Sequence, residues 1–176
     1  MNVRLCCVLL ATVVARALAC TNPNGTDTKL SWFNCNPGDV LRVNTMTVTD
    51  DVGNADYPIN VDKALVLHAQ STLAGTTTYN TMWEDVKIYS WGGLLGCSWH
   101  HVPTGPLLTN IKQCGNCPLK PGTLTLDYTI DLTPYSSILG LLSDGVYALE
   151  VHMKNGDSAA HEEIGCVTVQ GKLVKQ

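Results

Sequence analysis

The chain has 176 residues, of which 45% are hydrophobic and 15% charged, and its 11 Lys and Arg against 15 Asp and Glu give a formal net charge of −4. An acidic chain without a basic cluster is not typical of nucleic-acid-binding proteins, and it argues against strong electrostatic docking on anionic membranes. The length suits one domain with a substantial core.

The first nineteen residues have the pattern of a secretory signal peptide. An apolar run follows Arg4, and Ala17-Leu18-Ala19 provides the small residues of a cleavage site. Residues 1–19 are therefore predicted to be removed, although a bacterial lipoprotein signal ending at Cys20 is the other interpretation. The run is too short to span a bilayer, and no later segment approaches the roughly 20 apolar residues of a transmembrane helix.

The cysteine content indicates an oxidising compartment. Of the 8 cysteines, Cys6 and Cys7 lie in the predicted signal peptide, and the remaining six predict three disulfides, for which fifteen pairings exist. The CxxC motif that begins at Cys114 has neither a second CxxC nor a histidine at zinc-finger spacing, so no metal site is predicted. Asn24 begins an N-glycosylation acceptor motif, Asn-Gly-Thr, in agreement with passage through the secretory route.

After a polar lead-in at 20–30, predicted to be flexible, the pattern becomes that of β-strands. In the clearest strand, Leu124, Leu126, Tyr128 and Ile130 share one face and polar residues occupy the other. The predicted strands include 40–49, 63–71, 85–90, 124–130, 147–153 and 166–173.

Apolar parity switches within 40–49, which indicates a bulge or a strand buried on both faces. No segment sustains a helical period over three turns, and no second domain or repeat is visible. Short strands separated by turn signals predict an all-β chain, an immunoglobulin-like antiparallel β-sandwich.

Three connecting segments carry unusual apolar groups: Leu94-Leu95, Leu107-Leu108 and the run 138–142. Loops usually lie on the surface, so such residues would be exposed there. One interpretation is a mobile apolar lip that covers a ligand or meets a membrane. The other is a short buried helix at 138–142 that plugs one end of the sandwich.

His100 and His101 are the most suggestive residues for catalysis, but neighbouring side chains of an extended chain point apart. They would not act as one acid/base pair or hold one metal ion, and no nucleophile or phosphate-binding motif accompanies them. No catalytic residue is predicted, and the two histidines are interpreted as loop residues. His152 falls on the polar side of its strand and is expected to be solvated.

Several motifs together resemble the ML family of lipid-recognition domains, most closely the GM2-ganglioside activator-like proteins. The motifs are Ser31-Trp32-Phe33-Asn34-Cys35, Gly165-Cys166, Asp56-Tyr57-Pro58-Ile59, Val102-Pro103-Thr104-Gly105 and Cys114 to Gly122. The resemblance covers residues 31–174, and it implies a sandwich whose sheets part to hold a lipid, in a protein that is not an enzyme.

The resemblance also implies disulfide pairs, namely Cys35–Cys166, Cys97–Cys117 and, by remainder, Cys20–Cys114. The chain departs from the activator pattern because it has C-x-x-C in place of C-x-C and lacks one cysteine between Thr104 and Cys114.

The leading hypothesis is a secreted or lysosomal lipid carrier that needs no cofactor, its bound lipid being the ligand. Its expected partners are the lipid, a membrane in transient contact, and a lipid hydrolase or receptor. The side chains expected to line the cavity are Leu65, Leu67, Val86, Ile88, Leu126, Tyr128, Ile130, Leu149 and Val151. Those expected at its mouth are Leu94, Leu95, Trp99, Ile138, Leu139, Leu141 and Leu142.

The alternative hypothesis is a secreted protein-binding or immune-recognition module with a closed core. Sheets that pack directly enclose a layer about 10 Å thick. The same aliphatic faces would line a cavity if the sheets parted, and the sequence pattern does not separate the two cases.

Overall fold

The computed structural model describes residues 20–92, 96–112, 114, 116–130 and 142–175, with side chains throughout except at 128–130. Strands account for most of this part of the chain, and its helical elements are two short 3-10 helices, Pro23–Gly25 and Gly105–Leu108. The strands are β1 (Ser31–Asn34), β2 (Leu41–Asp50), β3 (Ile59–Asn60), β4 (Leu65–Leu73), β5 (Met82–Trp91), β6 (Trp99–Val102), β7 (Ile111–Lys112), β8 (Gly122–Ile130), β9 (Gly145–Asn155) and β10 (Glu163–Val174).

The strands form two sheets, which confirms the prediction of an all-β sandwich. The large sheet has the order β1-β10-β9-β5-β6, with β3 added beside β10 and β7 beside β5, and the small sheet has the order β2-β4-β8. Only the short β3 pairs in parallel among the described strands; the other pairings are antiparallel.

Alternation along the strands produces the two faces of each sheet. On β8, Leu124 and Leu126 are half-buried while Thr125 and Asp127 are exposed. On β2, the register against β4 shifts after Val43, so the bulge, one of the two interpretations of the parity switch, is present. The extra residue lets both halves of β2 place apolar side chains between the sheets.

The densest packing lies at one end of the sandwich, called here the packed end and defined by Leu41, Leu73, Met153 and Gly165. Leu41 and Leu73 are each 1% exposed. A Cβ atom on Gly165 would lie 2.6 Å from the carbonyl oxygen of Leu41, so only glycine fits where β10 crosses β2. A second, smaller cluster of buried side chains consists of Ile88, Leu108, Leu142 and Tyr147.

Three disulfides crosslink the described chain: Cys20–Cys97, Cys35–Cys166 and Cys114–Cys117. They join residues 77, 131 and 3 positions apart, respectively. On the chain-entropy model these loops contribute about 4.5, 5 and 2 kcal/mol. The pair that closes the longest loop is therefore the main covalent staple of the fold.

Two of the implied pairings, Cys97–Cys117 and Cys20–Cys114, are wrong. Cys97 lies in the β5–β6 hairpin loop beside the lead-in, where its Cα is 5.3 Å from that of Cys20. Cys114 and Cys117 are close enough to bond to each other, with Cα atoms 5.4 Å apart. The Cys35–Cys166 pair is present as the resemblance implied.

The lead-in at 20–30 is attached to the domain, which corrects the expectation of a flexible segment. Beyond the Cys20 disulfide, Asn24 donates from Nδ2 to Oε1 of Gln170 at 2.7 Å, and Trp91 donates from Nε1 to the carbonyl of Thr21 at 3.1 Å. Both partners lie on the outer face of the large sheet. The lead-in thus covers part of that face, where Ala148 is only 3% exposed. Glycosylation at Asn24 stays a prediction.

Each edge strand of the small sheet forms hydrogen bonds with the side chain of an asparagine that lies outside that sheet. On β2, Val43 donates its N–H to Oδ1 of Asn34 and accepts from Nδ2 of the same amide, both at 2.9 Å. On β8, the carbonyl of Thr125 accepts from Nδ2 of Asn116 at 2.7 Å. Each side chain occupies backbone groups that a further strand would use.

Candidate functional site

Burial changes along the inner face of β4. At the packed end, Leu73, Ser71 and Ala69 are 1%, 0% and 4% exposed. Farther along the same face, Leu67 and Leu65 are only half-buried. These two leucines point between the sheets, and Leu67 packs against the edge of the core cluster.

The same change occurs on the facing sheet. On β9, Met153 is 7% exposed, whereas Val151 and Leu149 on the same face are half-buried. Taken together, the half-buried aliphatic residues that point between the sheets are called here the inner aliphatic set. Its members are Val48, Leu65, Leu67, Leu124 and Leu126 on the small sheet, and Val86, Leu149, Val151 and Val169 on the large sheet.

The predicted cavity residues divide into three groups. Leu65, Leu67, Val86, Leu126, Leu149 and Val151 belong to the inner aliphatic set. Ile88 also points inward, but it is 7% exposed and packed in the second cluster. The side chains of Tyr128 and Ile130 lie outside the described residues. The role of all nine in lipid binding stays a prediction.

Sequence reasoning missed three members of the set. Leu124 and Val169 share strand parity with residues that were recognised as inward-facing, and this signal was sufficient to include them. Val48 follows the β2 bulge, where a simple alternation counted from Leu41 places it on the wrong face. Only the register against β4, in which Val48 pairs with Leu67, assigns it to the interior.

The expected mouth residues are less well supported. Leu94, Leu95, Ile138, Leu139 and Leu141 lie outside the described residues.

The structure describes the other two expected mouth residues, whose role at a mouth stays a prediction. Leu142 is 7% exposed and packs in the second cluster. Trp99 pairs with Trp91 on the outer face of the large sheet, with ring centroids 5.1 Å apart. Because Ile88 points inward on β5, Trp91 three residues later points outward, and its cross-strand partner Trp99 does the same.

A cleft of about 280 Å³ opens at the end opposite the packed end. Ser90, Trp91, Asp144 and Tyr147 are among its lining residues. The Tyr147 hydroxyl donates to the carbonyl of Ser143 at 2.9 Å and accepts from its N–H at 3.0 Å. Ser90 and Asp144 therefore offer polar groups beside a fixed aromatic wall.

An acidic turn at this end follows directly after β2. The Asp50 carboxylate accepts N–H bonds from Asn54 at 2.7 Å and from Val52 at 3.1 Å, and Lys63 lies 3.6 Å away. The hydrogen bond from the Asn54 backbone is the main reason why the pKa of Asp50 is below its usual value. The ionised side chain thus holds the turn next to Leu65, with which Asp50 is paired across the sheet.

The paired histidines are in a strand, not in a loop as was expected. On β6, His101 packs edge-to-face against Tyr89 with ring centroids 5.6 Å apart, whereas Nε2 of His100 lies 3.1 Å from Oγ of Ser98. Adjacent strand residues point to opposite faces, so the two rings do not form one site.

His152 lies in a charged cluster on the outer face of the large sheet. Its ring nitrogens are 2.7 Å from Glu150 and 2.6 Å from Glu163, and Lys87 is 2.9 Å from Glu150. His152, Glu163 and Cys166 are close enough to resemble a metal site. The Cys166 sulfur is bonded to Cys35, however, so it is not a thiolate ligand.

A second polar chain crosses the outer face of the small sheet. Thr49 Oγ1 lies 3.2 Å from Nε2 of His68, and Nδ1 of His68 lies 2.8 Å from Asp127. This is the order of a nucleophile, a base and an acid. The His68 and Asp127 side chains are 43% and 58% exposed, however, and the Thr49 hydroxyl also donates to the carbonyl of Asp50. The arrangement suits a solvated cross-strand network.

Comparison with known proteins gives a structural likeness but no sequence match, since neither a family model nor a curated protein matches the chain. The structure is similar to a Niemann-Pick type C2 protein from the Japanese carpenter ant, with a TM-score of 0.49 and 14% identity over 81% of this chain and 98% of that chain. It is also similar to the C-terminal domain of wzt, with a TM-score of 0.44 and 7% identity over 84% and 80%. Because both TM-scores are below 0.5, the function proposed below rests on the residues of this chain.

Within the described ranges, no helix is long and apolar enough to cross a membrane.

Proposed function

We propose that the protein is a secreted or lysosomal lipid carrier that holds an acyl chain, a glycolipid tail or a sterol between its two sheets. The observation that carries the proposal is the inner aliphatic set. Its nine members face one another across the sandwich, yet they keep accessible surface. In a closed core such residues would be fully buried, because protein interiors pack as densely as organic crystals.

The chemistry of these residues fits a lipid tail. Every member of the set is Val or Leu, so these nine side chains offer no hydrogen bond to a polar ligand. Each methylene transferred from water into such a space contributes about 0.8 kcal/mol. Affinity would therefore increase with chain length, without a charged residue to hold the ligand.

The cleft at the Tyr147 end suits the polar part of the same ligand. Ser90 and Asp144 provide a hydroxyl and a carboxylate there, beside the Trp91 ring. A lipid entering with its tail toward the packed end would leave its head group in this cleft, in contact with water.

Localisation follows from the disulfides and the N-terminal pattern. Three disulfides, two of which close long loops, suit the oxidising compartments that a signal peptide leads to. The motif resemblance to the ML family supports the same compartment and the same non-enzymatic role. The proposal includes transient contact of the protein with a membrane. It also includes cooperation with a lipid hydrolase or a receptor.

A matched pair of tryptophan variants on β2 tests the proposal. Val48 points between the sheets and is half-buried, whereas its neighbour Thr47 points outward and is exposed. Lipid uptake would be followed with cis-parinaric acid as the acyl-chain probe and dehydroergosterol as the sterol probe. In a carrier, Val48→Trp fills the space and abolishes uptake while the protein stays folded, and Thr47→Trp binds as the wild type does.

A closed core gives a different outcome in the same experiment. Neither probe would bind the wild type, native mass spectrometry would show no co-purified lipid, and Val48→Trp would lower the free energy of unfolding by about 1 to 3 kcal/mol through overpacking. That result would reject the carrier and favour a protein-binding module.

A further inference from the structure

The Cys114–Cys117 disulfide differs from the other two in what it can do for the fold. It joins residues only 3 positions apart, whereas the others span 77 and 131 positions. Both of its cysteines are half-buried, while Cys166 of the longest loop is 1% exposed. The short loop adds least to stability, and both of its cysteines keep accessible surface.

The segment around this disulfide is fixed by contacts that do not involve sulfur. Before it, Ile111 pairs with Glu84 on β5. After it, Leu119 exchanges two backbone hydrogen bonds with Tyr79, of 2.8 and 3.0 Å, and is 1% exposed. Between the two cysteines, Asn116 donates to the carbonyl of Thr125 at 2.7 Å. Opening the S–S bond would therefore leave both thiols in place.

The charged residues next to the pair in the sequence are basic. The sequence from Lys112 to Lys120 contains these two lysines and no carboxylate. Positive charge and the C-x-x-C spacing are both conditions that stabilise the thiolate form of a cysteine. The thiolate is the species that attacks a disulfide and the form in which a cysteine leaves one.

We infer that Cys114 and Cys117 form a thiol–disulfide exchange site, and that its substrate is a peptide or protein with two neighbouring cysteine thiols. This activity is independent of lipid binding, because the site lies toward the packed end of the sandwich, away from the cleft at Tyr147.

The exchange between the client thiols and the Cys114–Cys117 disulfide takes place in two steps. A client thiolate attacks one sulfur of the pair, forms a mixed disulfide with it, and displaces the other sulfur as a thiolate. The second client thiolate then attacks the client sulfur of the mixed disulfide and releases the first cysteine. Two electrons and two protons pass from the client to Cys114 and Cys117, and a low-molecular-weight disulfide such as oxidised glutathione restores the pair by the reverse steps.

The first experiment measures which disulfide opens in the native protein. The full mature chain is equilibrated in glutathione buffers of increasing reduced fraction, quenched in acid, alkylated, and mapped by peptide mass spectrometry. We expect Cys114 and Cys117 to be alkylated while Cys35 and Cys166 remain oxidised and the near-UV circular dichroism stays native. The inference is overturned if the Cys114–Cys117 pair opens only together with the Cys35–Cys166 pair, as the protein unfolds.

The second experiment measures the activity itself. In oxidised glutathione, the wild type is expected to accelerate disulfide formation in a synthetic peptide with two cysteines, and the Cys114→Ser, Cys117→Ser double variant is expected to lose this acceleration. Uptake of cis-parinaric acid by the double variant serves as the folding control and is expected to equal that of the wild type. Equal rates of peptide oxidation with the wild type and the double variant would overturn the inference, and they would leave the lipid-carrier proposal unaffected.

Discussion

The two halves of the space between the sheets are built from the same strands but packed differently. At the packed end, Leu73 is 1% exposed, while Leu67 on the same strand and the same face keeps accessible surface. β9 shows the same contrast between Met153 and Leu149. One half of the sandwich is therefore more fully buried than the other, and the proposed carrier function assigns the ligand to the less buried half.

The largest expected effect comes from Leu73→Ala. Removal of a fully buried leucine leaves a cavity that dense packing cannot fill, so the free energy of unfolding should fall by about 4 kcal/mol. Urea denaturation measures this loss. Uptake of cis-parinaric acid by the fraction that stays folded should not change, and a large change in uptake would mean that the packed end also holds lipid.

Gly165→Val should lower stability by about 3 kcal/mol, at the upper end of what overpacking usually costs. The new Cβ would meet the Leu41 carbonyl, a backbone atom that cannot turn aside. Thermal unfolding of this variant is compared with that of Gly38→Val, because a Cβ at Gly38 meets no atom within 4 Å. Equal melting temperatures would show that the sheets are not in close contact at this crossing.

Leu67→Ala is the counterpart of Leu73→Ala in the open half. The removed atoms are already partly accessible, so the stability loss should be smaller, about 1 to 2 kcal/mol. The affinity for cis-parinaric acid should fall instead, because the chain loses a contact surface. If Leu67→Ala costs as much stability as Leu73→Ala, the two halves are packed alike.

Protonation of Glu150 should have the smallest effect, and it should act on the outer face of the large sheet. Burial of Glu150 favours its neutral form, but hydrogen bonds from Lys87 and His152 outweigh burial, so its pKa is below the usual 4.5. A carboxyl with a lowered pKa contributes stability above its unfolded-state pKa and loses that contribution as pH falls through the folded-state value.

The free energy of unfolding of the wild type should therefore decline as pH drops below about 4.5. Glu150→Gln should flatten part of this decline, as measured by urea denaturation at a series of pH values. An identical pH profile for the variant would show that protonation of Glu150 does not cause the loss of stability in acid.

Periodicity was enough to predict the six longest strands and their inward faces, because one pattern of Leu and Val decides both. It placed Leu65, Leu67, Leu126, Leu149 and Val151 correctly between the sheets. It could not give burial, since half-buried and fully buried leucines look the same in a sequence.

Three other features depended on distance rather than on pattern. The strand register that assigns Val48 to the interior and the hairpin register that turns Trp99 outward are set by pairing with a neighbouring strand. The Cys20–Cys97 bond depends on a lead-in that folds back across the large sheet. No local sequence signal in 20–30 predicts this path.

The two asparagine amides on the small sheet also affect behaviour in concentrated solution. β2 and β8 are the outer strands of that sheet, and each would otherwise present unpaired amide and carbonyl groups to other molecules. Asn34 saturates both groups of Val43, and Asn116 saturates the carbonyl of Thr125. These two side chains therefore oppose the addition of a strand from a second copy at the two edges of the small sheet.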